Sequence, residues 1–389
     1  MKIALLTDGI YPYVIGGMQK HSYYLAKYLA AAGHHVDLYH TNQSRYDISK
    51  LEFFTEQEKL LIRSFVVKFP QMGRSPGHYI RESYEYSCRV FKLFRENSNG
   101  VDFIYAKGFT GWELLNQKMK GFDCPPVGVN LHGFEMFQPP ASFIAGLQNR
   151  FLLKPTALFQ MKNADYLFSY GGKISDVIRS AGMPGEKIIE VPTGIEASWL
   201  NDHPESSGPK RKFIFIGRYE RRKGIKELQQ AIEKISENTG ADFEFHFAGP
   251  VPANKQVKNK HVTYHGQVDD PAKMKKLLLD SEVLVCPSFS EGMPNVIMEG
   301  LASGCAVIAT DVGAVNLMVN TGNGWLISPK NQDELVKALE EALRISPAAL
   351  DEKRTRAVQF VREKFLWDRI AALIVNEILT RLDKRDGTL

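Results

Sequence analysis

Cysteine is scarce in this 389-residue chain: Cys88, Cys124, Cys286 and Cys305 are the only four. None belongs to a Cys-x-x-Cys pair, and no histidine pair stands beside them at ligand spacing. A disulfide scaffold and a zinc ribbon are thereby excluded, and the thiols read as buried and reduced. Long apolar runs are missing too: no stretch approaches the roughly 18–20 residues that span a bilayer. The opening MKIALLTDG is too short for a signal-peptide core and reads as a buried first strand. A cytoplasmic protein is expected, at most peripheral to a membrane. Charge of one sign is nearly absent as an excess, at 49 basic against 44 acidic residues, too mild a surplus for a nucleic-acid partner. The first glycine-rich loop, YVIGGMQKH at 13–21, is neither G-x-G-x-x-G nor a P-loop, which argues against a dinucleotide or ATP site there. No Asp-x-Asp occurs, so no obligatory metal and no other cofactor is expected.

What is present, 44% hydrophobic and 24% charged residues, suits two domains with a core in each. Short apolar runs alternate with amphipathic stretches: KIALLTD, HHVDLYH, VDFIYAK, PVGVNLH, ADYLFSY and EKIIEVP, with helical patterns between them. That rhythm predicts an α/β fold with parallel sheets covered on both faces. It breaks at NDHPESSGPKRK, residues 201–212, a polar Pro-, Ser- and Gly-bearing linker. It resumes with KFIFIGRYERRKG, DFEFHFAG, HVTYHG, EVLVCPS and CAVIATD. Two doubly wound, Rossmann-like domains facing a central cleft are expected, over 1–200 and 201–365. Residues 366–389 are expected to form a closing amphipathic helix that crosses back to the first domain. Residues 41–98 and 133–159 are less regular and rich in aromatics. They read as capping loops, with an acceptor groove or a membrane-contacting surface as the functional alternative.

Four places could carry chemistry. In FSEGMPNVIMEGLASG, 289–304, Pro294 suits the first turn of a helix over 294–303. The backbone N–H groups around Gly292–Asn295 would then form an anion site at its start, with Glu291 in the loop before it and Glu299 on the helix. Spacing alone serves a helix-capping and a surface glutamate equally well. In GRYERRKG, 217–224, Arg218 and Lys223 could neutralise a phosphate, although alone the segment reads as a solvated basic loop. Gly16 and Gly17 let backbone approach an anion ahead of a helix that carries Gln19 and His21. His132, in NLHGFE at the end of a strand, could bind a substrate hydroxyl or handle a proton.

Together these segments resemble the retaining nucleotide-sugar glycosyltransferases of family 4, which have the GT-B fold. The resemblance runs over nearly the whole chain, through GGMQKHSYYLAKYLAAAGHHV, EKIIEVPTGIE, GRYERRKG, SFSEGMPNVIMEGLASGCAVIATDVGAVN and FLWDRI. Glu-x7-Glu with Gly-x-Pro-Asn inside is its most specific part. It implies transfer of a sugar, with retention, from a nucleotide diphosphate to a hydroxyl of a glycan or lipid-linked acceptor, in cell-surface polysaccharide synthesis. Glu299 would hold the ribose and Glu291 the sugar hydroxyls, while backbone at Gly292, Met293, Pro294, Asn295 and Val296 would touch sugar and diphosphate. Arg218 and Lys223 would stabilise the departing diphosphate, helped by Gly16 and Gly17. His132 would lie beside the anomeric carbon, and Gln19, His21 and Glu135 would face the acceptor. Family frequency favours uracil as the base. The chain departs from the family at Thr193 and Glu196, and at Ala314, Asn316 and Leu317, where a second Gly and a Pro-Glu pair are commoner. Two alternatives are a sugar-nucleotide epimerase, for which His132 lacks an opposite partner, and a non-catalytic nucleotide-sugar-binding subunit.

Overall fold

The strand-helix-strand series close into two separate sheets. The computed structural model describes residues 1–41, 51–73, 77–137, 143–204, 210–238, 240, 242–385 and 387. One unit comprises Met1–Gly194 with Trp367–Leu389, the other Ile195–Leu366. The first holds β1 (Lys2–Leu6), β2 (His35–His40), β3 (Ile62–Val66), β4 (Phe103–Lys107), β5 (Val127–Asn130), β6 (Tyr166–Ser169) and β7 (Ile188–Glu190). Their order is β3-β2-β1-β4-β5-β6-β7, with every pairing parallel. The second unit holds β8 (Arg211–Ile216), β9 (Phe243–Ala248), β10 (Val262–Gly266), β11 (Val283–Cys286), β12 (Ala306–Thr310) and β13 (Gly324–Ile327). They run β10-β9-β8-β11-β12-β13, again all parallel.

Strands covered on both faces need apolar side chains throughout, and the central ones have them: β11, VLVC, and β12, AVIAT, are buried at every position. Helices stop where glycine permits a left-handed turn. The helix Gly17–Ala31 is followed by Gly33 at φ +83°, and His34 N–H donates back to Leu29 O at 3.0 Å. Each sheet reverses its strand order once, between β1 and β4 and between β8 and β11. In doubly wound sheets ligands collect outside the carboxyl ends of the strands at that reversal.

The division between units falls at Gly194/Ile195, ahead of the 200/201 boundary read from composition. Ile195 bridges Leu366, and Asn201 N–H donates to Ala302 O at 2.9 Å, so the start of the polar stretch belongs to the second unit. Residues 205–209 of that stretch lie outside the described residues. The closing helix, Trp367–Arg385, belongs to the first unit and needs no segment of its own. Trp367, Ile370, Ile374 and Ile378 pack with Leu25, Ala26 and Leu29 in one core. Gly194 must be glycine there, because a Cβ would stand 2.7 Å from the Trp367 ring.

Two stretches read as loops contain helices. His78–Asn97 is a 20-residue helix whose buried face, Tyr86, Val90, Phe91 and Phe94, joins the core. Phe143–Gln148 and Lys154–Asn163 are helices joined by a π turn. Among the described residues no helix is long and apolar enough to cross a membrane.

Candidate active site

In the second unit, two loops meet after β8 and β11 because glycines let their backbones touch. Gly224, at φ +66°, would place a Cβ 2.0 Å from Pro287 O, so only glycine allows this approach. The short 3₁₀ turn before it, Arg221–Lys223, is thereby held against the β11 loop. Lys223 Nζ donates to Glu291 Oε1 at 2.6 Å, and Arg222 Nη1 lies 3.7 Å from Glu291 Oε2. Arg222 Nε also pairs with Glu220 Oε2 at 2.8 Å, and Glu220 Oε1 with Arg218 Nη2 at 2.9 Å. Five charged side chains thus form a row running from buried Glu291 out to Arg218, whose side chain is 71% exposed.

The loop carrying Glu291 rests on a second tight turn. Gly313, at φ +57°, would put a Cβ 2.2 Å from Glu291 O, and Ala314 N–H donates to Gly292 O at 2.8 Å. Met293 is buried beneath it. Asn295–Ala302 is the helix that follows, one residue later than its expected start, with Pro294 at the N-cap. No side chain caps that N-terminus. Its first-turn N–H groups and positive dipole end therefore suit an anion. Asn295 and Val296 lie on this first turn, and Glu299 is half-buried one turn on. The structure thus brings Lys223, Arg218, Glu291 and Gly292–Val296 into one region of the second unit. Glu291 is already an ion-pair partner rather than an unpaired nucleophile.

In the first unit, Gly16 is the N-cap of the Gly17–Ala31 helix, in extended backbone at φ 168° and without a side-chain cap. Gln19 does not present its amide freely: Nε2 donates to Asp8 Oδ1 at 2.8 Å. Burial raises the Asp8 carboxyl to about 6, against the opposing pulls of Gln19 and Lys107. His21 was expected to face an acceptor, and the structure places it elsewhere. It is 3% exposed, with Nδ1 2.6 Å from Lys107 Nζ and its ring edge-on to His132 and Trp367. Its position on the helix points it into the core, where burial holds its pKa well below the ordinary histidine range. The side chain of Glu135 lies outside the described ones.

His132 follows β5 in a left-handed conformation, φ +67°, uncommon for a residue with a side chain. Asn130 stabilises it: Oδ1 accepts from His132 N–H at 2.8 Å, while Nδ2 donates to Tyr105 Oη at 3.1 Å. The ring meets Tyr170 Oη at Nδ1. Burial, then the Lys107 charge, push its pKa well below the ordinary range, and a backbone hydrogen bond with Met18 works the other way. The imidazole is therefore neutral at physiological pH. It suits a polar contact to a substrate better than proton donation.

Sequence reasoning missed Lys107, Tyr170, Asp8 and Arg222. Lys107 had a signal, as the lone lysine ending an otherwise apolar strand, and Arg222 sits within the quoted ERRK run. Tyr170 had none, since only the fold brings it to His132. Among the described residues no three His, Cys, Asp or Glu side chains lie placed to hold a metal ion.

A model of glycosyltransferase family 4 matches residues 15–199, and one of glycosyl transferases group 1 matches residues 210–344. TuaC of Bacillus subtilis, whose name assigns it provisionally to teichuronic acid biosynthesis as a glycosyltransferase, is 34% identical over 159 residues. That match covers 38% of this chain and 40% of TuaC, so the chain spans less than half of that relative. Sucrose-phosphate synthase from Thermosynechococcus elongatus shares the fold with a TM-score of 0.77 at 19% identity, over 99% of both chains. Anabaena HepE, solved in complex with UDP, does so with a TM-score of 0.68 at 16% identity, over 98% of this chain and 100% of HepE. Two parallel sheets of seven and six strands with flanking helices are the GT-B architecture these neighbours share.

Proposed function

The chain belongs to the family 4 glycosyltransferases, and we propose that it moves a sugar from a nucleotide diphosphate, a UDP-sugar first, to a hydroxyl of a glycan or lipid-linked acceptor during polysaccharide assembly. The observation that carries this reading is the Lys223–Glu291–Arg222 cluster beside the uncapped start of the Asn295–Ala302 helix. Cleaving the donor bond leaves a diphosphate whose negative charge grows in the transition state. Lys223 and Arg222, held at Glu291, and the helix N–H groups would meet that charge, with the more exposed Arg218 able to reach it. Groups organised in advance in this way contribute about 3–4 kcal/mol each when removed singly. No divalent metal is needed in this scheme. Arg218, itself 71% exposed, pairs with the half-buried Glu220 carboxylate at 2.9 Å, a weak tie that a phosphate can replace.

Glu291 would exchange part of its ion pairing for donor-sugar hydroxyls, and Glu299 would take the ribose. With Glu291 neutralised by two cations, the glutamates grip the donor and do not attack it. Retention follows from leaving-group departure and acceptor attack on one face of the sugar. His132 would set a neutral polar contact near the anomeric carbon. The first unit would receive the acceptor. There Phe151 and Leu147 are 66% and 44% exposed beside Arg150 and Lys154, a surface suited to a lipid-linked substrate at the membrane face. HepE was solved with UDP, and TuaC is named for polysaccharide synthesis; both support this assignment.

The test is nucleotide release from UDP-glucose, UDP-galactose and GDP-mannose with a panel of lipid-diphosphate and oligosaccharide acceptors, in the presence of a chelator. Acceptor-dependent UDP release, with product of the donor's anomeric configuration by NMR, is expected. Donor binding without turnover on any acceptor would favour the non-catalytic subunit, and interconversion of the donor itself would favour the epimerase.

A further inference from the structure

Lys107 ends β4 with no solvent exposure, in a strand whose other members are Phe103, Ile104, Tyr105 and Ala106. Burying an ammonium costs several kcal/mol even with partners, and an aliphatic residue would pack there without that cost. Stability therefore does not account for a lysine here. Its surroundings are specific. Nζ lies 2.6 Å from His21 Nδ1; burial pushes the amine's pKa well below the ordinary lysine range, and the nearby Asp8 carboxylate pulls it partly back. Asp8 is itself steadied by the Gln19 amide at 2.8 Å. The amine carries N–H donors in either charge state, and with one of them aimed at His21 Nδ1 that nitrogen accepts and Nε2 carries the ring hydrogen.

The ring so fixed is a wall for its neighbours. It stands edge-on to His132, with centroids 5.1 Å apart at 87°, and edge-on to Trp367 at 5.0 Å and 87°. The Tyr170 ring, whose hydroxyl meets His132 Nδ1, lies 6.0 Å away. His132 therefore has His21 on one side and Tyr170 on another, and its backbone is held left-handed by Asn130. Rotation of His21 would move the ring against which His132 packs edge-on.

We propose that Lys107 is a positioning residue: by locking the tautomer and rotamer of His21 it holds the wall behind His132, and so sets where His132 meets the donor sugar. The inference rests on the role given to His132 under the proposed function. It can be tested apart from that role.

The first measurement is a two-bond ¹H–¹⁵N correlation spectrum of the ¹⁵N-histidine-labelled full chain at neutral pH, with His21 assigned by the signal lost in His21→Gln. The wild type is expected to show His21 as the Nε2–H tautomer. The near-isosteric Lys107→Met is expected to show a tautomer mixture. Its kcat should fall about tenfold to a hundredfold, the scale of a small misplacement of a reacting group, while the Kd for UDP stays at the wild-type value. In a double-mutant cycle, Lys107→Met should add nothing to His132→Gln, since both act through one ring. A wild-type His21 in the Nδ1–H form, an unaltered kcat in Lys107→Met, or additive losses in the cycle would each overturn the proposal. Failure of the wild type to bind UDP or GDP would instead sink the functional reading and leave the tautomer result standing.

Discussion

Replacing Gly224 by alanine isolates how the β8 and β11 loops are brought together. Gly224 and Gly266 belong to the same unit and share φ +66°, but their surroundings differ. A Cβ on Gly266 would meet nothing within 4 Å, whereas on Gly224 it would meet Pro287 O at 2.0 Å. Gly266→Ala should therefore cost only the left-handed backbone penalty, about 1 kcal/mol. Gly224→Ala carries the same penalty plus an overlap with a carbonyl that cannot swing aside, and overpacking of this kind adds about 1–3 kcal/mol. Relief requires the two loops to part, which pulls Lys223 from Glu291. Native-state hydrogen exchange of peptides covering β8 and β11 reports the second unit by itself and gives the opening free energy. The expected difference between the two variants is about 2 kcal/mol, midway in that overpacking range. UDP affinity should be at least about tenfold weaker in Gly224→Ala, a loss equivalent to about 1.4 kcal/mol. Equal protection in the two variants, with unaltered UDP affinity, would refute the argument that this contact builds the site.

Three further outcomes follow from particular residues. Burial lowers the pKa of His40 from 6.5 to about 4, so its contribution is complete above the unfolded value and is lost as pH falls towards the folded one. The loss approaches about 3 kcal/mol at the acid end, and a melting series should show a shallower acid slope in His40→Asn; identical slopes would contradict it. Lys223→Met strips Glu291 of its nearer cation, so turnover should fall about a hundredfold, and adding Glu291→Leu should restore the melting temperature but not the activity. In β5, a Cβ at Gly128 would stand 2.5 Å from the Phe168 ring and 2.8 Å from that of Phe103. Gly128→Ala should thus cost about 1–3 kcal/mol in urea unfolding, and a neutral result would show that the two rings can yield.

Periodicity located strands whose apolar residues run unbroken, such as β4, β11 and β12, because burial on both faces leaves no other composition. It did not locate β3, where Arg63 and Ser64 interrupt the run, or the helix His78–Asn97, which opens on a glycine-flanked aromatic segment without a capping side chain. The glutamates, Lys223 and Arg218 were legible as types at a spacing, but their pairing was not. It depends on Gly224 and Gly313 bringing distant loops into contact. The family resemblance implies an acceptor-side role for His21, and the sequence around it gives no sign of what covers its face of the helix. The closing helix, which returns from the far end of the chain, buries that face with Trp367. Lys107 stands out in the sequence only as the lone lysine of an apolar strand; its chemistry is not legible there, since its partners His21 and Asp8 lie far from it in sequence.

The most direct test of the account is calorimetric titration of the full chain with UDP, GDP and their sugar conjugates, in chelator, for the wild type, Glu299→Ala and Lys223→Met. The account predicts that one nucleotide series binds the wild type, that Lys223→Met loses affinity mainly for the diphosphate, and that Glu299→Ala loses it for every ribose-bearing ligand. Binding that is absent throughout, or that survives both substitutions undiminished, would contradict the claim that this region of the second unit holds an activated sugar.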